Sequence, residues 1–213
     1  MRVAQNKQLM LPNLGKIDIY LLDQVMKNRI TSDMRLLDAG CGWGRNSEIF
    51  IRNNFDIYGI DRSDEAILEL QQLLPTWQKD YDKSKFSVAN LQKIPFPDEH
   101  FNFIISSAVL HFCESRKEFI QQMEELIRVL KPNGILWFRM TAKHTIESFA
   151  THLKEDIYLL PDGSTRYLLD KNLLQSLMNK HNLQFLDPFK TVNVSNIRTM
   201  STVVLQKVKP FQE

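Results

Sequence analysis

The chain has 213 residues, of which 43% are hydrophobic and 24% charged, and its formal net charge is +2. This balance predicts a single globular domain over 1–213 with a substantial core, and it gives no reason to expect a nucleic-acid surface. No stretch is apolar enough to span a membrane and no secretory signal opens the chain, so we expect a cytoplasmic protein. Cys41 and Cys113 have neither a redox nor a zinc spacing, so we expect reduced thiols and no metal site.

The first part of the chain alternates helices and strands. A predicted helix over about 16–28 precedes a short strand at 35–38, and a second helix follows over about 45–53. The turn between this strand and the second helix carries glycines at alternate positions, Gly40, Gly42 and Gly44. Such a turn presents backbone N–H groups to a ligand, and glycine permits positive φ and close approach. The next strand, 57–61, ends at Asp61, where α/β nucleoside sites place a carboxylate against ribose hydroxyls.

The same alternation continues to residue 140. The predicted elements are a helix capped by Ser63 and ended by Pro75, strands at 85–89 and 102–107, a helix with an apolar face from Phe119 to Leu130, and a strand at 135–140. Strands that alternate with helices predict a parallel sheet.

The last third of the chain departs from this pattern. Residues 141–169 form a long irregular insertion, after which Asp170 caps a helix. Predicted strands at 184–194 and 199–207 are joined by a short connection, which implies that they are antiparallel neighbours.

The order of these motifs resembles that of the class I S-adenosylmethionine (SAM) dependent methyltransferases. The glycine pattern is G-x-G-x-G, with Arg45 at the position where a dinucleotide-binding G-x-G-x-x-G has its last glycine. The resemblance covers about residues 30–140, through the segments that begin at Asp61, Asn90, Phe103, Leu110 and Leu130. The Gly44-Arg45-Asn46 ending is most similar to the small-molecule methyltransferases grouped near the tellurite-resistance enzyme. The resemblance to the class I methyltransferases implies a doubly wound, Rossmann-like, seven-stranded and mostly parallel sheet with an antiparallel last strand.

The resemblance implies SAM as cofactor and S-adenosylhomocysteine (SAH) as product. Asp38 would accept from the ammonium group directly or through water, and Asp61 from both ribose hydroxyls. Gly44 would let the following helix start close to the ligand. Backbone groups would meet the methionine part along the loop Gly40, Cys41 and Gly42.

The adenine side of the cofactor has its own predicted contacts. Asn90 Oδ1 would accept from the adenine amino group, and the Leu91 N–H would donate to a ring nitrogen. Arg62 would line the adenine edge, and Ser107 completes the predicted cofactor set at the exit of the fourth strand.

Methyl transfer is an in-line displacement, for which the protein chiefly supplies alignment. His111 is the candidate catalytic residue near the transferred methyl, either as a base or as a packing histidine. The fourth strand ends in Ser106-Ser107-Ala108-Val109 and not in the Asp/Asn-Pro-Pro-Tyr/Phe motif, which disfavours amino-methylation of nucleobases or glutamine. We therefore expect a small-molecule substrate and neither a nucleic-acid nor a membrane partner, with the oligomeric state open.

The predicted substrate pocket combines the fourth-strand exit with a lid at 141–169, beside an N-terminal cap segment at 1–30. Its predicted substrate-binding residues are Arg45, His111, Arg166 and Tyr167, with Arg139 and His144 as further candidates. Two alternatives stay open beside the enzyme. One is a non-catalytic SAM-binding module for sensing or partner contact; the other, an NAD-dependent oxidoreductase, is disfavoured by Arg45 and the terminal strand pair.

Overall fold

The computed structural model describes residues 14–144 and 146–209, so residues 1–13 of the predicted cap segment lie outside it. The described residues form five α-helices, which are α1 (Ile19–Met26), α2 (Glu48–Arg52), α3 (Asp64–Trp77), α4 (Arg116–Val129) and α5 (Lys171–Lys180). They also form eleven strands, which are β1 (Arg35–Ala39), β2 (Asp56–Asp61), β3 (Phe86–Val88), β4 (Phe101–Ser107), β5 (Leu130–Met140), β6 (Thr151–Lys154), β7 (Ile157–Leu159), β8 (Thr165–Tyr167), β9 (Leu183–Phe185), β10 (Lys190–Val194) and β11 (Arg198–Lys207).

Eight of the described strands form one sheet. Its order is β10-β11-β5-β4-β1-β2-β3, and the short β9 also pairs with β11. Strands β1 to β5 run parallel to one another, whereas β11 runs antiparallel to β5, β9 and β10. The predicted Rossmann-like fold with an antiparallel C-terminal end is confirmed, but the sheet has eight strands where seven were predicted. The predicted strand at 184–194 is instead two strands, because Pro188 lies between them and has no N–H for a ladder.

Side chains of the central strands alternate between the two faces of this sheet. On one face, Leu37 and Ile104 belong to a buried cluster shared with α4 and α5. On the other face, Leu36 and Phe103 belong to a cluster shared with α1, α2 and α3. Helices on both faces leave the carboxyl ends of the parallel strands as the edge where a ligand can bind.

The helix boundaries follow the predicted caps at two positions. The Ser63 hydroxyl accepts from the Ala66 N–H at 3.2 Å, and Asp170 Oδ1 accepts from the Asn172 and Leu173 N–H groups. Pro75 does not end α3 as predicted. Pro75 lies within the last turn of α3, and the helix continues past it to Trp77. The Gln78 N–H donates to the Leu74 carbonyl at 2.9 Å and closes this turn.

The 141–169 insertion contains a sheet that the sequence did not predict, an antiparallel β6-β7-β8 unit. The buried carboxylate of Asp156 fixes it to the main body. It accepts from Arg116 Nε at 2.7 Å, from Lys143 Nζ at 2.8 Å and from the Tyr167 hydroxyl at 3.1 Å. Arg116 starts α4, so one carboxylate joins the insertion to the main domain.

Helix α1 is tied to the far end of the chain through Asp187. Arg29 donates to this carboxylate at 2.8 Å, Gln24 at 3.0 Å and Lys27 at 3.1 Å. Burial alone raises the pKa of Asp187, but these hydrogen bonds outweigh it and hold that pKa well below its usual value. Among the described residues, no helix is long and apolar enough to cross a membrane.

Candidate active site

The glycine turn after β1 is built from residues with left-handed backbone angles. The φ angle is +85° at Gly40 and +50° at Gly42. A Cβ at Gly40 would lie 2.2 Å from Val109 Cγ2, whereas a Cβ at Gly42 would meet nothing within 4 Å. Gly40 is therefore required for packing against the β4 exit, and Gly42 leaves open space for a ligand.

The backbone N–H groups of this turn are used inside the protein. Those of Gly40 and Cys41 donate to the Ile60 carbonyl at 2.8 and 3.0 Å, and that of Gly42 donates to Asp61 Oδ2 at 2.8 Å. The prediction that these groups face the methionine part is therefore wrong for the N–H donors. The Cys41 side chain is also buried, and burial raises the pKa of its thiol well above the usual value.

Asp61 lies at the end of β2 with both oxygens oriented. Oδ2 accepts from Gly42 N–H, and Oδ1 accepts from Ser63 N–H at 2.9 Å. An ionised carboxylate has about four acceptor positions, so two remain for a ribose diol. The two remaining acceptor positions of Asp61 suit the two hydroxyls of the SAM ribose.

One cavity of about 200 Å³ gathers most of the predicted cofactor residues. They are Gly40, Asp61, Arg62, Asn90, Leu91 and Ser107. Five further lining residues were not predicted, and these are Ala108, Val109, Phe112, Glu118 and Gln122. Glu118 and Gln122 are four residues apart on α4 and share a face, a spacing visible in the sequence. Ala108 has a φ of +60°, which no sequence signal announces.

The two adenine-side residues differ in what they leave free. Asn90 Oδ1 accepts from Gln92 N–H at 2.9 Å, so one of its two acceptor positions is used within the loop and one is left for the predicted adenine amino group. No hydrogen bond of the described backbone uses the Leu91 N–H, which remains available to a ring nitrogen.

Asp38 lies beneath the turn and not on the cavity wall. It is 1% exposed; Ser47 donates to Oδ2 at 2.7 Å, and Oδ1 has no partner among the described residues. Burial raises its pKa to about 6. An unpartnered buried carboxylate oxygen is costly, and the ammonium group of SAM or its bound water is a chemically suitable partner.

Arg45 and Arg139 meet the N-cap of α1. Arg139 Nη1 donates to Asp18 Oδ2 at 2.7 Å, and Arg45 Nη2 lies 3.8 Å from the same oxygen. Arg45 Nη2 also donates to Ser107 Oγ at 3.1 Å, which places it at the edge of the cofactor cavity. Arg139 is engaged with Asp18 and, like the exposed His144, does not line either cavity described here.

A second cavity of about 430 Å³ lies between the β4 exit and the insertion. His111, Phe112 and Cys113 line one side, and Ile157, Thr165 and Arg166 line the other side. Phe112 borders both cavities, so it marks the boundary between them. Helix α1, which we expected beside this pocket, contributes no lining residue.

His111 is buried at this boundary, 6% exposed. Burial, and secondarily the charge of Arg166, lowers its pKa to about 4, so the imidazole is neutral near pH 7. Tyr167 is also on the wall of the second cavity, although its side chain is wholly buried. Its ring stacks on Phe119 with centroids 4.9 Å apart, and its hydroxyl donates to Asp156.

Comparison with known proteins now identifies the domain. Residues 37–138 match a family model described as a methyltransferase domain. This part of the chain is therefore similar to methyltransferase domains. The predicted methyltransferase resemblance is confirmed over this range, whereas a place in the tellurite-resistance group is not. No group of three or more His, Cys, Asp or Glu side chains in the described ranges could hold a metal ion.

The individual relatives of this methyltransferase domain are distant. Malonyl-[acyl-carrier protein] O-methyltransferase of Enterobacter lignolyticus is 28% identical over 112 residues, which are 53% of this chain and 41% of that protein. The chain thus spans about two fifths of the curated relatives that it matches most significantly.

Solved structures share the fold over most of the chain. A SAM-dependent methyltransferase of Methanosarcina mazei has a TM-score of 0.68 at 22% identity, over 86% of this chain and 97% of that one. The 1,6-didemethyltoxoflavin-N1-methyltransferase of Burkholderia thailandensis, solved with its substrate and SAH, has a TM-score of 0.63 at 13% identity, over 89% and 76% of the two chains.

Proposed function

We propose that this chain transfers the methyl group of SAM to a small-molecule acceptor bound in the second cavity. The observation that carries the proposal is the position of Phe112 on the wall of both cavities. A cofactor held by Asp61 and an acceptor held beside Arg166 would meet at this ring. The similarity of the glycine turn to the tellurite-resistance group, whose enzymes act on small molecules, also supports a small acceptor.

In this proposal each residue acts by position. Asp61 accepts from the ribose hydroxyls, and Leu91 N–H donates to the adenine. The unpartnered Asp38 oxygen accepts from the ammonium group or its water. The N–H groups of Gly40, Cys41 and Gly42 and the Cys41 carbonyl are used internally. The carbonyl oxygens of Gly40 and Gly42 are therefore the backbone groups left for the methionine part.

SAM supplies a methyl group bonded to a sulfonium. An oxygen or nitrogen of the acceptor forms a bond to that carbon while the bond from carbon to sulfur breaks and leaves its electron pair on sulfur. If the attacking atom carries a proton, the neutral imidazole of His111 can accept it at the cavity boundary. The imidazole of His111 is itself buried, which limits its contact with water at this point.

The test has two stages. Calorimetry measures SAH binding, and mass spectrometry then follows transfer of a deuterated methyl group from SAM to a fractionated metabolite extract. Binding with transfer supports the proposal, whereas binding without transfer supports a non-catalytic SAM-binding module. In the transfer assay His111→Ala is compared with His144→Ala, which changes an exposed histidine outside both cavities. The proposal predicts a loss of kcat for His111→Ala alone.

A further inference from the structure

Arg166 occupies a defined place at the junction of the two cavities. Its guanidinium carbon lies 4.7 Å from the centroid of the Phe112 ring, and Nη1 donates to the Thr165 carbonyl at 2.7 Å. Stacking on an aromatic face restricts the guanidinium plane. The charge is thus positioned and not freely mobile in solvent.

This charge is not held in an ion pair by the described residues, although it acts electrostatically on the exposed Asp162. Among residues 14–144 and 146–209, no carboxylate lies within salt-bridge distance of Arg166. Arg116, which contacts the same insertion, is by contrast paired with Asp156 at 2.7 Å. An arginine fixed on a cavity wall without a carboxylate is free to bind an anionic group from a ligand.

The other residues that line the second cavity include both apolar and charged side chains. Leu153 and Ile157 offer apolar surface on the insertion side. Lys154 and Glu114 carry opposite charges, and His111 is neutral near pH 7, so together with Arg166 the wall carries one net positive charge. A cation beside apolar surface suits a ligand with an apolar body and one anionic group.

We propose that the acceptor is a small organic carboxylate, whose carboxylate pairs with Arg166 and whose apolar body packs against Leu153 and Ile157. A carboxylate matches the two parallel N–H bonds that one guanidinium can donate. The inference rests on the proposed role of the second cavity as the acceptor site. It adds a chemical class to an acceptor that the family leaves open.

The experiment compares the binding of one anionic and one neutral probe to the full chain saturated with SAH. The probes are 2-naphthoate and 2-naphthylmethanol, which share a ring system and differ in the anionic group. Affinities are measured for the wild type, Arg166→Gln and Arg166→Lys. Arg198→Gln is the matched control, because Arg198 is an exposed arginine outside the cavity that also lacks a salt bridge in the described structure.

We expect 2-naphthoate to bind more tightly than 2-naphthylmethanol, and Arg166→Gln to weaken only the carboxylate, by about tenfold. Arg166→Lys should recover part of that loss, and Arg198→Gln should change neither probe. Equal affinities for the two probes, or an unchanged 2-naphthoate affinity in Arg166→Gln, would overturn the inference. SAH affinity, measured on the same samples, reports the cofactor site separately, so failure of the methyltransferase proposal is distinguishable.

Discussion

The Gly42 N–H donates to Asp61 Oδ2 at 2.8 Å, and this bond joins the turn after β1 to the end of β2. The two most recognisable features of the cofactor motif are therefore one structural unit before any ligand binds. A preorganised carboxylate loses little freedom when it accepts further hydrogen bonds. Substitutions at either residue should consequently alter both the turn and the ligand site.

Asp61→Ala should weaken SAH binding by about ten- to a hundredfold, because a charge-assisted interaction of about 1.5–3 kcal/mol is lost. Calorimetry measures the affinity, and a thermal melt checks the fold. Asp61→Asn retains one oxygen, which can accept from either the Gly42 or the Ser63 N–H group, and should lose less. Asp64→Ala is the control, since Asp64 is exposed in the first turn of α3. Unchanged affinity in folded Asp61→Ala would remove Asp61 from the site.

Alanine at Gly40 and at Gly42 should have different effects. A Cβ at Gly40 collides with Val109, so Gly40→Ala should lower the free energy of unfolding by more than the roughly 1–2 kcal/mol that positive φ costs an alanine. The new methyl group of Gly42→Ala meets open space, so the free energy of unfolding should fall only by the amount that positive φ costs an alanine. The same methyl group should obstruct SAH and weaken its binding. Denaturant unfolding and SAH titration of both variants check this, and full SAH affinity in Gly42→Ala would contradict the assignment of that space.

SAH affinity should fall as the pH drops below about 6. The Asp38 pKa is about 6 in the free protein, and an ammonium group beside Oδ1 would lower it in the complex. Below pH 6 binding must therefore expel a proton, which costs at most about tenfold in affinity per pH unit. Titrations at pH 7.5 and 5 measure this slope, and Asp38→Asn should flatten it. The same slope in wild type and Asp38→Asn would rule out the contact.

Asp156→Ala should lower the free energy of unfolding by about 1.5–3 kcal/mol, because it removes charge-assisted bonds from Arg116, which is half-exposed, and from Lys143, which keeps Asp170 as a partner. Burial raises the pKa of Asp156, but Arg116 and Lys143 outweigh it and lower the pKa to about 2. The stabilisation is therefore present above about pH 4 and is lost as pH falls towards 2. Denaturant unfolding measures both, with the exposed Asp162→Ala as control. Equal stability losses in the two variants would show that the Asp156 contacts are not what fixes the insertion.

The fold of the central domain was accessible from the sequence because its signals are local. Hydrophobic strands, the glycine turn and the Ser63 and Asp170 caps each specify their own element. The β6-β7-β8 sheet was not accessible, because all four residues of β6 are exposed and leave no alternation to detect. Its position depends on the Arg116–Asp156 ion pair, which joins residues 40 positions apart.

The candidate site was predictable where backbone geometry sets it, as at Gly40 and Asp61. Side-chain roles were less accessible, because an aromatic or an arginine can equally face a cavity or a neighbour. The Tyr167 hydroxyl is engaged by Asp156 and the Arg139 guanidinium by Asp18, although both side chains looked suitable for a polar substrate. Phe112, which joins the two cavities, has no sequence signal that separates it from a surface aromatic.

The most direct measurement of the central claim is transfer of a deuterated methyl group from SAM to a small-molecule extract, followed by mass spectrometry. Wild type and Asp61→Ala are compared at a SAM concentration that saturates only the wild type. For wild type we expect SAH together with a methylated acceptor whose new methyl group carries three deuterium atoms in place of hydrogens. For Asp61→Ala we expect little of either product. Tight SAH binding by the wild type with no labelled product from any fraction would contradict it.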